Sequence, residues 1–187
     1  MALPVDLSAF VALVKGSLLA AEEPAKALAL FDRARLVSPG TLVEEAALRR
    51  SVRIAAATGD AGRFLLASTQ YVARFLHSPY ASQFADSFVS GVVALHADVG
   101  SDRLVETPAM MDAEREKVIY LRIARRAAVD GLSELSAFAS ARAGKIDGGE
   151  DDDPRAQLYS SLSSLTSESI AAVRDGLERI DRARLSE

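Results

Sequence analysis

The sequence contains few side chains that could bind a metal ion or act in catalysis. The spacing of these side chains does not match a known metal-binding or acid–base motif. The chain has two histidines, His77 and His96, and no cysteine. Neither histidine has an acidic neighbour at the offsets of a metal-binding helix motif such as H-E-x-x-H. Glu44 and Glu45 are adjacent, and adjacent side chains on a helix point about 100° apart, so they cannot share one acid–base site. The sequence therefore predicts no catalytic residues, no metal ligands and no cofactor.

An acidic run near the end of the chain is a second candidate for chemistry. Residues 148–154 read Gly-Gly-Glu-Asp-Asp-Asp-Pro. They lack the alternating carboxylates, the central glycine and the terminal glutamate of a calcium loop. We therefore interpret residues 145–154 as a solvated, acidic, glycine-rich linker that precedes a helix.

Composition points to a helical protein. Of 187 residues, 49% are hydrophobic but only 6% are aromatic, and the formal net charge is −4. Basic residues are dispersed among acidic ones, so no nucleic-acid partner is expected. No run of 18 apolar residues occurs, so no membrane span is expected. The first six residues lack the basic region and hydrophobic core of a signal peptide, which leaves open a removed signal or further residues upstream.

Proline punctuation organises the first half of the chain. Ser38-Pro39 and Ser78-Pro79 stand 40 residues apart, and matched positions before them carry similar side chains. These pairs are Ala27 and Ala67, Phe31 and Tyr71, and Leu36 and Leu76. The spacing A-x3-F-x2-A-x4-P that ends at Pro39 is typical of the second helix of a tetratricopeptide repeat. We therefore predict an all-α fold of tetratricopeptide-like helix-turn-helix repeats with a longer C-terminal helix.

Caps and apolar periodicity give the expected helix bounds. The sequence predicts a helical-repeat domain over 1–144, the linker over 145–154, and a C-terminal helix or helix pair over 155–187 that packs back on the repeats. Gly100 to Pro108 is expected to be a break with a short helical turn at best. The predicted helices are 6–20, 24–37, 42–58, 61–77, one after Pro79, 109–130, 132–143 and one after Pro154.

Two helix faces follow from this periodicity. The first helix is expected to bury its large apolar residues, which are Phe10, Leu13, Val14, Leu18 and Leu19. On the fifth helix Phe84 and Phe88 form part of a core face. Tyr80 precedes them and is either a further core residue or a contact for a partner.

The third helix carries a dense set of charges. Glu45 and Arg49 are spaced i,i+4, as are Arg49 and Arg53, so the charges can pair along the helix. One interpretation is a solvated, ion-paired face. The other is the charged edge of a groove that helical repeats present to partners. On the second interpretation, the candidate partner-binding residues are Glu44, Glu45, Arg49, Arg53 and Tyr80.

Longer runs of this sequence resemble one family. The run from Ser38 to Ser51, SPGTLVEEAALRRS, and the run from Arg74 to Asp86, RFLHSPYASQFAD, are similar to the MotC family of motility proteins from flagellated alphaproteobacteria. Shorter segments support the resemblance at Met110–Arg115, Tyr120–Ala124 and Gln157–Ser160. The similarity covers essentially the whole chain. Family members are longer, so the chain looks like an inner or C-terminal portion of such a protein.

The resemblance implies a function that the periodicity alone does not. It implies a non-enzymatic role in flagellar rotation, in the periplasm, on the periplasmic portion of the stator protein MotB. An alternative is a dimerising envelope scaffold whose last helix pairs with itself through the apolar stripe from Leu158 to Ile180. The sequence leaves the oligomeric state open.

Overall fold

The computed structural model describes residues 5–146 and 154–163, together with Arg174, Leu177, Glu178 and Ile180. Every regular element in these residues is a helix, which confirms the all-α prediction. The α-helices are α1 (Val5–Leu19), α2 (Pro24–Val37), α3 (Leu42–Ala57), α4 (Ala61–Phe75), α5 (Ala81–Ala94), α6 (His96–Val99), α7 (Ser101–Glu106), α8 (Ala113–Val129), α9 (Ser133–Ile146) and α10 (Pro154–Ser163). None of these helices is long and apolar enough to cross a membrane.

Side-chain caps explain why several helices begin where the sequence predicts. Thr41 Oγ1 accepts a hydrogen bond from the backbone N–H of Val43 at 3.3 Å, at the start of α3. Asp60 accepts one from Arg63 N at 2.9 Å, at the start of α4. Each cap satisfies an amide that has no partner inside the helix, so the helix start is encoded locally.

The expected break between Gly100 and Pro108 is more helical than predicted. It contains α7, followed by a 3₁₀ turn over Pro108–Met110. Helix α8 begins at Ala113 rather than 109, because Asp112 caps it by accepting from Arg115 N at 3.0 Å. Gly100 stands between α6 and α7 with φ +70, a conformation that glycine adopts without strain.

The chain divides into two compact units, Met1–Met110 and Met111–Glu187. In unit 1, α1 packs on α2, α2 on α3, and α3 on both α4 and α5. In unit 2, α10 packs on α8 and α9. The expected domain ranges 1–144 and 155–187 stay predictions, because residues 147–153 and most of 164–187 lie outside the described residues. At the ends of the predicted linker 145–154, α9 extends to Ile146 and α10 begins at Pro154. The acidic residues between them, the middle of the apolar stripe and the question of one or two C-terminal helices lie outside the described residues.

The prediction for the buried face of α1 is largely wrong. The buried residues are the small Ala9 and Ala12 together with Leu13, whereas the larger Phe10 and Leu18 are exposed. A Cβ on Gly16 would lie 2.7 Å from the ring of Phe31, so α1 and α2 approach more closely than a side chain there permits. The predicted positions on α2 are confirmed, since Ala27, Phe31 and Ala34 are fully buried.

Helices α4 and α5 of unit 1 meet through aromatic rings. Tyr71 stacks on Phe84 with ring centroids 4.1 Å apart, and Phe64 stacks on Phe88 at 5.6 Å. Gly91 lies beside this cluster, where a Cβ would come within 2.3 Å of Phe64. The aromatic cluster, defined as Phe64, Tyr71, Phe84 and Phe88, therefore fills the space between the two helices without a gap.

Unit 2 is packed mainly with small side chains. Tyr120 and Ile123 are fully buried among the small residues Ala124, Ala127, Ser136, Ala139, Ser140 and Ala143. Ser136 Oγ donates from α9 to the carbonyl oxygen of Ala124 on α8 at 3.0 Å. Such short side chains let two helix backbones lie close together, and dispersion contacts between them then contribute stability.

The turns after α3 and α8 have the same hydrogen-bond pattern. After α3, Gly59 N bonds to Ala56 O at 3.4 Å and Asp60 N to Ala55 O at 2.9 Å. After α8, Gly131 N bonds to the carbonyl of residue 128 at 3.2 Å, and the next amide to that of residue 127 at 2.8 Å. Both glycines have positive φ, so each turn is a Schellman motif that reverses the chain into the next helix.

Candidate partner-binding surface

Glu44 is a buried structural carboxylate. Its side chain is only 5% exposed, and Oε1 accepts a hydrogen bond from Arg74 Nη1 on α4 at 2.7 Å. Its other oxygen, Oε2, accepts from the backbone N–H of Gly40. Thr41-x-x-Glu44 thus acts as a capping box whose glutamate bonds one residue upstream of the usual N-cap amide.

Glu45 is buried even more deeply, with a side chain 1% exposed. Its Oε1 accepts from the Tyr71 hydroxyl at 2.8 Å and from Arg49 Nε at 3.3 Å. Burial, reinforced by the hydrogen bond to Glu45 and its negative charge, raises the pKa of Tyr71 well above its ordinary value. Glu45 therefore joins the aromatic cluster to a surface arginine.

The two glutamates do not lie on a solvated face. That interpretation is wrong for Glu44 and Glu45, because both carboxylates are enclosed and bonded from α4. A buried carboxylate is tolerated only when it is paired and hydrogen-bonded. Glu45 can hold Arg49 in position and Glu44 can hold Arg74. A binding partner has little access to either carboxylate, because both are buried.

Arg49 and Tyr80 form the most defined surface contact. The guanidinium carbon of Arg49 lies 4.9 Å from the centre of the Tyr80 ring, a cation–π geometry. Arg49 Nη1 also donates to Gln83 Oε1 on α5. Tyr80 is 41% exposed, so the interpretation of Tyr80 as a core residue is wrong. Two of the predicted site residues thus meet at the surface and hold each other in place.

A groove of about 330 Å³ opens beside this contact. Its lining residues are Arg49, Arg50, Arg53, Gln83, Asp86 and Ser87. Desolvation by burial and the neighbouring charges of Arg49 and Arg53 lower the pKa of Arg50. We name this feature the arginine groove; it brings together the predicted Arg49 and Arg53.

The sequence-based site list missed Arg50 and the α5 wall of the groove. Arg50 has a sequence signal, since it stands three residues before Arg53 and so lies near it on the helix. Gln83, Asp86 and Ser87 have none, because only the packing of α5 on α3 brings them to that helix.

The histidines play structural or exposed roles at helix ends. His96 Nδ1 lies 2.9 Å from the carbonyl oxygen of Val93, and His77 follows α4 as an exposed residue. In the part of the chain that the structure describes, no group of three or more histidine, cysteine, aspartate or glutamate side chains is placed to hold a metal ion.

The fold and the surface define an all-α protein that presents pre-positioned arginine and tyrosine side chains. Comparison with known protein families identifies the family to which the chain belongs. The family described as "Chemotaxis protein MotC" matches residues 1–187, and the chain belongs to that family. The resemblance seen in the sequence is thereby confirmed.

One curated relative gives the scale of the match. The chain is 39% identical over 181 residues to "Chemotaxis protein MotC" of Rhizobium meliloti (strain 1021). The match covers 95% of this chain and 41% of the relative, so the chain spans less than half the length of that protein. No solved structure matches the chain.

Proposed function

We propose that this protein is a non-enzymatic, protein-binding scaffold of the bacterial periplasm that supports flagellar rotation. Its proposed partner is the periplasmic portion of the stator protein MotB. Membership of the MotC family supports a role in motility, and the pre-positioned surface on α3 and α5 supports binding as the mode of action.

The Arg49–Tyr80 contact is the observation that carries the binding proposal. Arginine and tyrosine are the side chains most enriched among the residues that dominate protein–protein affinity. Here Glu45 and Gln83 hold Arg49 from both sides, so little side-chain entropy remains to be lost on binding. A surface of this kind can bind a partner without moving.

We also propose that unit 1 is built from tetratricopeptide-like repeats. Helices α1 and α2 form one packed pair and α3 and α4 another, which supports this arrangement. The matched residues Phe31 and Tyr71 are both fully buried, one in the second helix of each pair. Repeats of this type act passively, by offering a rigid surface that follows their stacking.

A capture experiment tests the function. The MotB periplasmic portion from the same organism is immobilised and exposed to the purified protein at low and high salt. We expect capture, and weaker capture at high salt because salt screens charged contacts. Absence of capture at both salt concentrations overturns the proposed partner.

Tyr80→Ala locates the contact in the same experiment. Loss of an aromatic contact residue costs about 1–2 kcal/mol of binding free energy, so we expect roughly five- to thirtyfold weaker capture. Leu66→Ala is the matched control, because Leu66 is 54% exposed on α4 and lies outside the surface. Equal capture by both variants removes Tyr80 from the binding surface.

A further inference from the structure

Arginines outnumber carboxylates in and directly beneath the arginine groove. Its six lining residues include three arginines and one carboxylate, that of Asp86. Glu45 pairs with Arg49 from below, and the guanidinium of Arg50 donates to the backbone carbonyl of Ala46 at 3.2 Å. Arg53, the third arginine, is exposed to solvent at the end of the groove lining on α3.

The three arginine side chains of α3 all line the groove. Arg53 stands four residues after Arg49 and three after Arg50, so it is a helix-surface neighbour of each, although Arg49 and Arg50 themselves point in different directions. Arg49 is only 18% exposed and Arg50 is half-buried, which weakens solvent screening around them. Desolvation by burial, together with the charges of Arg49 and Arg53, lowers the pKa of Arg50, and an anion that enters the groove offsets the repulsion among the three arginines.

We propose that the arginine groove binds carboxylate side chains of an acidic segment in a protein partner. A guanidinium offers two parallel N–H donors that match the two oxygens of a carboxylate. The groove volume of about 330 Å³ suits one or two side chains rather than a folded surface. Gln83 and Ser87 line the α5 wall. Gln83 Oε1 accepts from Arg49 and Ser87 Oγ donates to the backbone carbonyl of Gln83, so the wall offers a peptide backbone the Gln83 amide N–H groups as donors and the Ser87 oxygen as an acceptor.

The charge of the chain separates this occupant from a nucleic acid. Outside the groove, basic residues are dispersed among acidic ones in the sequence, so no basic track continues from it for a polyphosphate backbone to follow. Asp86 within the groove opposes a dense anion such as phosphate more than a single carboxylate. A short acidic peptide is therefore the occupant that the groove fits best.

The inference rests on the proposed function only for the existence of a protein partner. Its first test uses a fluorescein-labelled hexaglutamate peptide with the purified protein, followed by fluorescence anisotropy. A hexaglutamine peptide with the same label is the control. We expect salt-sensitive binding of hexaglutamate only. Equal binding of the two peptides, or no binding of either, overturns the proposal.

Charge variants locate the binding in the groove. Arg53→Gln is expected to weaken hexaglutamate binding roughly fivefold, and Arg53→Glu roughly tenfold or more. Because Arg53 is exposed, both variants should fold normally, which circular dichroism checks. Arg33→Gln is the matched control, since Arg33 is exposed on α2 and lies outside the groove. An equal effect of Arg33→Gln and Arg53→Gln overturns the assignment to the groove.

Competition distinguishes this inference from the proposed function. Unlabelled hexaglutamate is added to the capture of the MotB periplasmic portion. If the MotB periplasmic portion is still captured in excess peptide and by the Arg53→Glu variant, the proposed function is supported. The same result overturns the proposal that the arginine groove is the contact site for MotB. Arginine-dependent peptide binding without any MotB capture supports the groove and overturns the partner. Inorganic phosphate that displaces the peptide at equal concentration overturns the preference for carboxylates.

Discussion

Unit 1 and unit 2 each bury one tyrosine completely, but the two hydroxyl groups have different surroundings. In unit 1 the Tyr71 hydroxyl donates to Glu45 at 2.8 Å, and its ring stacks on Phe84. In unit 2 the Tyr120 hydroxyl has no hydrogen-bond partner among the described residues, and helices α8 and α9 bury small side chains such as Ala124 and Ser136.

The difference shows that hydrogen bonds fix the positions of buried side chains in unit 1, whereas unit 2 relies mainly on close packing. A buried, fully satisfied polar network is costly to desolvate but permits few alternative arrangements. In unit 1 the hydrogen bonds from Tyr71 through Glu45 end at Arg49, and a separate bond joins Glu44 to Arg74. The α8–α9 packing of unit 2 needs no such network, because close contact between small side chains holds the helices together.

The largest change in stability is expected at Gly91, where the aromatic cluster is too tightly packed to accept a further methyl group. Gly91→Ala places a methyl group within 2.3 Å of Phe64, so the ring or the helix must move. We expect the free energy of unfolding to fall by about 1–3 kcal/mol, measured by urea denaturation. Gly62→Ala is the control, since a Cβ there would lie 3.7 Å from Asp60 Oδ1, and it should stabilise α4 by about 0.5–1 kcal/mol. Equal effects of the two variants contradict tight packing at Gly91.

A smaller effect tests the two tyrosines directly. Tyr71→Phe leaves the buried Glu45 with one hydrogen bond fewer, so we expect a loss of about 1–2 kcal/mol. Tyr120→Phe removes a hydroxyl that has no partner among the described residues, so stability should stay within about 0.5 kcal/mol or rise. Urea denaturation of both variants measures the difference. If Tyr120→Phe costs as much as Tyr71→Phe, the comparison between the units fails.

The smallest effect is one that both units should share, because burial is its main cause in each. Burial raises the pKa of Tyr120 to about 12 and that of Tyr71 further. The folded state therefore holds these protons more tightly than the unfolded state, whose tyrosines titrate near pH 10. Stability is complete below that pH and falls above it, by roughly 1 kcal/mol per tyrosine between about pH 9 and pH 10.5.

Denaturation curves at these two pH values check the titration. Tyr71→Phe and Tyr120→Phe should each remove about half of the alkaline loss, although only the first lowers stability at neutral pH. A wild-type curve that does not change with pH contradicts the burial of both phenols.

The starts of α2, α3 and α4 were predictable from the sequence because their signals are local. Thr41 and Asp60 cap the helices that follow them, and Pro24 opens α2. The contact face of α1 was not fully predictable from hydrophobicity, because Gly16 and two alanines form it together with Leu13, whereas Phe10 and Leu18 are exposed. A hydrophobicity scale ranks side chains by their apolar area. It therefore does not indicate where small residues let two helix backbones pack closely.

Only the arginines of the candidate partner-binding surface were predictable from the sequence. The spacing of Arg49 and Arg53 shows that they share a face of α3. The burial of Glu44 and Glu45 could not be read from the sequence, because their partners Arg74 and Tyr71 lie 30 and 26 residues away. The position of Tyr80 depends likewise on where α5 crosses α3.

The Schellman turns bear on how fast the chain can fold. Only three residues separate α3 from α4, and only three separate α8 from α9. The contacts within each hairpin therefore join residues that are near in sequence, which lowers contact order and the entropy lost in closing the loop. Helical proteins with such local topology fold in about microseconds to milliseconds. Each hairpin can thus form its helix pair before the rest of the chain is in place.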